Sequence, residues 1–190
     1  GVISCDAPPK VLSLALAYRA MRMPALKLKV GTRWDLANAR VCRLAAGSGV
    51  ALRMDANGVG SLDQALEIVP RLMRLGVQPV EQPLPTDRLD DMRRLHEETG
   101  IDIIADESLR DLNDAECLIA RGAVQGFNIR VSKCGGFFAS LRIAELARRH
   151  GLTVQIGAQV GESAILSSVA LALARRLDSV RFLEGFFGTH

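Results

Sequence analysis

The chain has 190 residues, of which 48% are hydrophobic and 24% charged, and its formal net charge is +3. This length and balance are typical of a globular domain with a substantial core. The small charge, the scattered arginines and an aromatic content of 4% argue against nucleic-acid binding, and no apolar run is long enough to span a bilayer.

Short β-rich runs alternate with longer amphipathic segments along the chain. The predicted strands are Gly1–Cys5, Ala25–Val30, Val50–Met54, Val77–Glu81, Asp102–Ala105, Gly126–Arg130, Thr153–Ile156 and Val180–Leu183. The predicted helices are Pro9–Arg22, Trp34–Ala46, Leu62–Leu75, Leu89–Thr99, Asp111–Arg121, Phe137–His150 and Glu162–Arg175. The alternation predicts a parallel sheet, and this number of elements favours one closed TIM-type barrel over residues 1–190 rather than an open sheet.

Acidic residues stand at the ends of three consecutive predicted strands, where barrel enzymes carry their chemistry. They are Asp55, Glu81 and Asp106, separated by 26 and 25 residues, about one β/α unit each. This rhythm predicts that the three carboxylates meet at one rim, where they need a cation. Oxygen ligands favour Mg²⁺, or alternatively Mn²⁺, over zinc. The competing interpretation is that each acid caps the following helix.

Three lysines flank these acids. Lys27 and Lys29 share one face of the second predicted strand, since Leu28 points the other way, and Lys133 follows the sixth. A partly buried lysine near a dication becomes available as a base, so we predict that Lys29 and Lys133 transfer protons. The alternatives are that the strand-end lysines are simply solvated, that Lys133 forms a Schiff base, or that the barrel binds metal without turnover.

These motifs resemble the muconate-cycloisomerase subgroup of the enolase superfamily. The matching segments are KxK at Lys27 and Lys29, DAN at Asp55–Asn57, EQP at Glu81–Pro83, ADES at Ala105–Ser108 and SKxGG at Ser132–Gly136. The resemblance implies a (β/α)7β barrel that is the C-terminal domain of an enolase-superfamily enzyme. It also implies that Asp55, Glu81 and Asp106 bind Mg²⁺, that Lys29 and Lys133 are the acid/base pair, and that Lys27 assists electrostatically.

Other positions refine this resemblance. The seventh predicted strand and its end, Thr153–Gly157, lack the histidine of the mandelate-racemase subgroup. The segment Leu183–Gly185 lacks the DxD pattern of dipeptide epimerases, which argues against that activity. We predict four further residues to bind substrate or support the site: Asn57, Glu107, Glu162 and Glu184. Glu162 has an alternative interpretation as an acid at a helix N-terminus.

The function implied is that of an isomerase or lyase which removes the proton α to a substrate carboxylate and gives a metal-stabilised enolate. Cycloisomerisation, racemisation or epimerisation, and syn dehydration all share this step. The expected partners are a small carboxylate substrate and an N-terminal capping domain that is absent from the 190 residues. A homo-oligomer is compatible with the sequence, and the four dispersed cysteines indicate a cytoplasmic protein without disulfides or structural zinc.

Overall fold

The computed structural model describes residues 1–159 and 161–185, in which eight strands alternate with seven helices. The strands β1 to β8 are Val2–Ile3, Ala25–Lys29, Ala51–Asp55, Val77–Glu81, Ile103–Ala105, Gly126–Ile129, Thr153–Ile156 and Phe182–Leu183. The helices α1 to α7 are Pro8–Ala20, Asp35–Ala46, Leu62–Met73, Leu89–Thr99, Leu112–Ala120, Phe137–Arg149 and Ala164–Ala174. The predicted order of elements is confirmed.

The last two elements begin later than the sequence predicts. Helix α7 starts at Ala164 rather than Glu162, because the side chain of Ser163 accepts a hydrogen bond from the Leu166 amide and caps the helix. Strand β8 starts at Phe182 rather than Val180. Both predictions extended the element into the loop before it, where the hydrophobic pattern alone gives no boundary.

The chain divides into two compact units, one over residues 1–103 and the other over residues 104–190. In the first unit, β1 to β4 are parallel neighbours in sequence order. Their register pairs Lys29 with Asp55 and Asp55 with Glu81, so these three residues lie at one level of the strands. The alternate residues, among them Leu28 and Met54, are buried and provide the core on the other face.

The second unit repeats this arrangement with β5 to β8, again parallel and in sequence order. Asn128 pairs with Gln155 on neighbouring strands, and Phe127 and Ile156 are fully buried. Gly126 is required where β6 passes β7, because a Cβ atom there would lie 2.2 Å from the Thr153 hydroxyl oxygen. Parallel strands alternating with helices therefore form both units, as the sequence predicts.

Two further sequence-based expectations can be compared with the described residues. The four cysteines are free thiols, of which Cys5 and Cys117 are exposed and Cys42 and Cys134 are buried. Burial raises the pKa of the Cys42 thiol to about 11, so this cysteine stays protonated at neutral pH. Within residues 1–159 and 161–185, no helix combines the length and apolar character needed to cross a membrane.

Arg43 on α2 connects two loops of the first unit. Its Nε and Nη atoms donate hydrogen bonds of 2.8 to 2.9 Å to the main-chain carbonyls of Gly47, Val50, Leu75 and Gly76. These carbonyls lie in the segments that lead into β3 and β4, the strands that carry Asp55 and Glu81. Arg43 therefore fixes where these strands begin.

Replacement of Arg43 by methionine is expected to lower the free energy of unfolding by about 2–4 kcal/mol, since four carbonyls lose a charged donor. Urea denaturation measures the change. Arg40→Met is the matched control, because Arg40 is exposed on the same helix and its loss should cost less than about 0.5 kcal/mol. Equal midpoints for the two variants would contradict this role of Arg43.

Candidate active site

A cluster of charged side chains lies at the carboxyl ends of β2, β3 and β4. Lys27, Lys29, Asp55 and Glu81 belong to it, and strand alternation together with the register places them on one face. Burying charges is costly unless they are paired. Here the sequence predicted both the acids and the lysines, and within this unit the structure brings them together.

Lys27 bridges the two carboxylates of this unit. Its Nζ lies 3.2 and 3.3 Å from the two carboxylate oxygens of Glu81 and 3.1 Å from Oδ2 of Asp55. The side chains of Lys27, Asp55 and Glu81 are only 4%, 0% and 2% exposed. Lys27 is therefore a buried cation shared by two buried acids, and its electrostatic role in catalysis stays a prediction.

Lys29 occupies a more open position. Its Nζ donates hydrogen bonds of 2.7 Å to Oδ2 of Asp55 and 2.7 Å to Oδ1 of Asn57, and its side chain is 30% exposed. Asn57 has a φ of 47°, in the left-handed region that asparagine tolerates better than most residues. In this conformation the main-chain N–H of Asn57 donates a hydrogen bond of 3.1 Å to Oδ1 of Asp55. Asn57 thus orients both Lys29 and Asp55.

Competing effects set the ionisation of Asp55. Burial raises the pKa of its carboxyl group, but the charge of Lys27 and the hydrogen bond from Lys29 lower it by more. The pKa of Asp55 consequently lies below its usual value, and the group is a carboxylate at neutral pH. A carboxylate is the form that can bind a cation.

A second group of charges lies in the other unit, around Asp106 at the end of β5. Lys133 Nζ is 2.8 Å from Oδ1 of Asp106, also donates to its main-chain oxygen, and lies 3.5 Å from the main-chain oxygen of Asn128. Arg130 donates from its guanidinium group to Oδ2 of Asp106. Asp106 and Lys133, which the sequence predicts as a metal ligand and an acid/base group, are thus in contact within this unit, and those roles stay predictions.

The alternative that the acids cap helices is wrong. Helix α3 is capped by Ser61 in a capping box with Gln64, α4 begins after Arg88, and α5 is capped by Asp111. None of the three caps is Asp55, Glu81 or Asp106. Each helix begins several residues after its strand-end acid, so these acids are available for another role.

The remaining predicted residues have different surroundings. Glu162 precedes the Ser163 cap of α7 and accepts a hydrogen bond of 3.2 Å from the Ser132 hydroxyl, so it is not an acid of the first helical turn. Glu184 accepts a hydrogen bond of 3.2 Å from Nε2 of Gln155, a buried residue of β7. Glu107 is half-buried directly after Asp106. Their part in substrate binding stays a prediction.

Sequence reasoning missed two arginines, Arg53 and Arg130. Nη1 of Arg53 lies 3.7 Å from Oε2 of Glu81, and its side chain is 7% exposed. Arg53 lies two residues before Asp55 on the same face of β3, and Arg130 lies two residues after Asn128, directly past the end of β6. This spacing was the available signal, although strand-end arginines are also common as solvated residues.

The donor set of the first unit suits a hard divalent ion. Asp55 and Glu81 offer only oxygen, come from neighbouring strands in register, and are both buried, which is the chemistry that Mg²⁺ or Mn²⁺ requires. Within the described part of the chain, no group of three or more His, Cys, Asp or Glu side chains is gathered as a metal centre. The three-ligand arrangement with Asp106 therefore stays a prediction.

Comparison with known proteins supplies the family. The family model described as enolase C-terminal domain-like matches residues 10–190. The chain belongs to this family, which is part of the enolase superfamily. It is 30% identical over 190 residues to the hydrophobic dipeptide epimerase of Enterococcus faecalis, covering 98% of this chain and 54% of that protein. It is 32% identical over 166 residues to the chloromuconate cycloisomerase of Cupriavidus necator, covering 86% of this chain and 45% of the relative.

The solved structures agree with this family assignment. A crystal structure of the Enterococcus faecalis dipeptide epimerase with Mg and the dipeptide L-Leu-L-Tyr matches with a TM-score of 0.93 and 29% identity, over 96% of this chain and 52% of that one. The chain spans about half the length of the curated relatives it matches. The resemblance inferred from the five motifs is confirmed.

Proposed function

We propose that this family member is the catalytic barrel of a Mg²⁺-dependent isomerase or lyase that removes the proton α to a substrate carboxylate. The observation that carries the proposal is the cluster of the first unit. Two buried carboxylates in register, Asp55 and Glu81, share the buried Lys27, while the more exposed Lys29 stands beside them. The relatives support it, since they are epimerases, racemases and cycloisomerases.

The three lysines have different proposed roles. Lys29 accepts the α-proton on Nζ, and its hydrogen bonds to Asp55 and Asn57 aim that nitrogen. Lys27 stays charged between the two acids. When bound, Mg²⁺ supplies positive charge that stabilises the negative charge developing on the substrate carboxylate. Lys133 is the partner acid/base group, from the second unit.

The proposed architecture is the (β/α)7β barrel, with residues 1–190 as one catalytic domain and Asp55, Glu81 and Asp106 as ligands of the same ion. The even spacing of the three acids and the parallel β/α order within each unit support it. We further propose that an N-terminal capping domain completes the whole protein and that the enzyme is cytoplasmic. The Schiff-base and non-catalytic alternatives gain no support from the relatives.

We propose that the reaction is cycloisomerisation, epimerisation or racemisation, or dehydration. One relative is a hydrophobic dipeptide epimerase, another a chloromuconate cycloisomerase, and a third, from Bacillus cereus, an N-succinyl-L-Arg/Lys racemase. The absence of the DxD pattern at Leu183–Gly185 favours the second and third classes over the first. These classes define the substrates to screen.

Proton exchange at the substrate α-carbon tests the proposal. The whole protein is incubated in D₂O with a hydrophobic dipeptide, an N-succinyl amino acid or a muconate, and NMR follows loss of the α-proton or formation of product. We expect turnover of at least one class with Mg²⁺ or Mn²⁺ and none with excess EDTA. Asp106→Asn should need a higher Mg²⁺ concentration, whereas Asp178→Asn, at an exposed position, should behave as wild type. Turnover that is insensitive to chelator would refute metal dependence.

A further inference from the structure

Arg53 is a buried cation beneath one of the proposed ligands. It lies on β3 two residues before Asp55, on the same face, and its strand register pairs it with Lys27. Two cations therefore lie side by side one level below the carboxylates. Placing an arginine in such an interior is unfavourable unless its charge is used, since an apolar residue would pack there at lower cost.

The two cations contact Glu81 differently. Lys27 Nζ is almost equidistant from the two carboxylate oxygens, at 3.2 and 3.3 Å, so it does not distinguish them. Arg53 approaches Oε2, with its Nη1 at 3.7 Å. A carboxylate rotates readily about its last side-chain bond, which is broad and roughly two-fold. Arg53 therefore places a second positive charge beside the Glu81 carboxylate, near Oε2, and opposes that rotation.

We infer that Arg53 is a positioning residue that fixes the orientation of the Glu81 carboxylate and so presents it to the divalent ion. This inference rests on the proposed function, because it takes Glu81 as a ligand. Groups that orient metal ligands commonly change metal affinity by about 10-fold or more when they are removed. Arg53 makes its contribution through Glu81 and does not itself touch the ion.

The sign of the effect separates positioning from simple charge. If Arg53 only adds positive potential, its removal relieves repulsion and Mg²⁺ binds more tightly. If Arg53 orients Glu81, its removal frees the carboxylate to rotate about its last side-chain bond, and Mg²⁺ binds more weakly. The two roles thus predict opposite changes in the dissociation constant for Mg²⁺.

Isothermal titration calorimetry of the whole protein with Mg²⁺ measures that constant. We expect Arg53→Met to weaken binding about 10-fold. Arg53→Lys keeps the charge on a shorter side chain without the guanidinium group. Its dissociation constant for Mg²⁺ should lie between those of Arg53→Met and wild type. Arg40→Met removes the same charge from an exposed site on α2 and should leave the constant within about 2-fold of wild type, because exposed charges are screened.

Each outcome decides the matter. Weaker binding by Arg53→Met, with an intermediate Arg53→Lys, supports the positioning role. Unchanged or tighter binding by Arg53→Met overturns it, while the proposed function stands as long as wild type binds Mg²⁺. If Arg53→Met does not fold, Arg53→Lys decides: weaker binding supports the role, and wild-type or tighter binding overturns it. Failure of the wild-type protein to bind Mg²⁺ overturns both proposals.

Discussion

Replacing Lys29 with methionine is expected to reduce α-proton exchange by about 10²- to 10⁴-fold, the range typical of a lost general base. Methionine keeps the length and the apolar stem of the side chain, but it offers no nitrogen to accept the proton. Lys29 is partly exposed and Asp55 retains Lys27, so the fold should survive. NMR in D₂O measures the exchange, and circular dichroism checks the fold.

The roles of the two proposed bases can be separated by which stereoisomer of the substrate loses its α-proton exchange. If Lys29 and Lys133 act on opposite faces of the substrate, Lys29→Met stops exchange of one stereoisomer and Lys133→Met stops exchange of the other. If a single base acts, only the stereoisomer served by Lys29 exchanges in wild type. Lys10→Met is the control, because Lys10 on α1 is 73% exposed and forms an ion pair with Asp6 in the preceding loop. Full exchange of both stereoisomers by Lys29→Met would remove Lys29 from the mechanism.

Lys27→Met should have the largest effect on stability. It removes the cation that Asp55 and Glu81 share, so two buried carboxylates face each other across neighbouring strands. Breaking a buried charge pair by removing one partner typically costs about 3–5 kcal/mol. In the absence of divalent ions we expect a loss of this size, measured by urea denaturation in EDTA.

Magnesium should restore much of this loss, because an ion bound between the carboxylates replaces the missing charge. The increase in melting temperature on adding Mg²⁺ should therefore be larger for Lys27→Met than for wild type. Lys27→Arg, which keeps the charge, serves as the control and should lose less stability in EDTA. Equal stability of Lys27→Met and wild type in EDTA would show that Lys27 does not hold the two acids together.

The same variant changes the response to acid. In wild type the pKa of Asp55 is lowered, so its contribution to stability is present above its unfolded pKa and is lost as the pH falls through the lower, folded value. Without Lys27 the effect of burial, which raises the pKa, gains weight. The loss of stability that Asp55 causes on acidification should therefore be smaller in Lys27→Met than in wild type, as measured by urea denaturation across the acidic pH range.

The sequence by itself determined the order of the elements and the residues at the strand ends. Hydrophobic runs and helix stops sufficed for this, because each strand and helix buries a face with its own period. The motifs around Asp55, Glu81 and Asp106 also sufficed for the family, since their order and spacing reflect one β/α unit after another. The helix and strand boundaries near residues 162 and 180 were less well determined, since capping and pairing are local contacts that periodicity does not encode.

Only the tertiary structure decided what each charged side chain contacts. In the sequence, three lysines and several acids stand at strand ends. Strand register decides that Lys27 contacts two carboxylates, whereas Lys29 donates hydrogen bonds to Asp55 and Asn57. Register likewise brings Arg53 to Glu81. Such pairings join residues 26 to 54 positions apart, and a charge lowers its energy by finding a partner in space, wherever that partner lies along the chain.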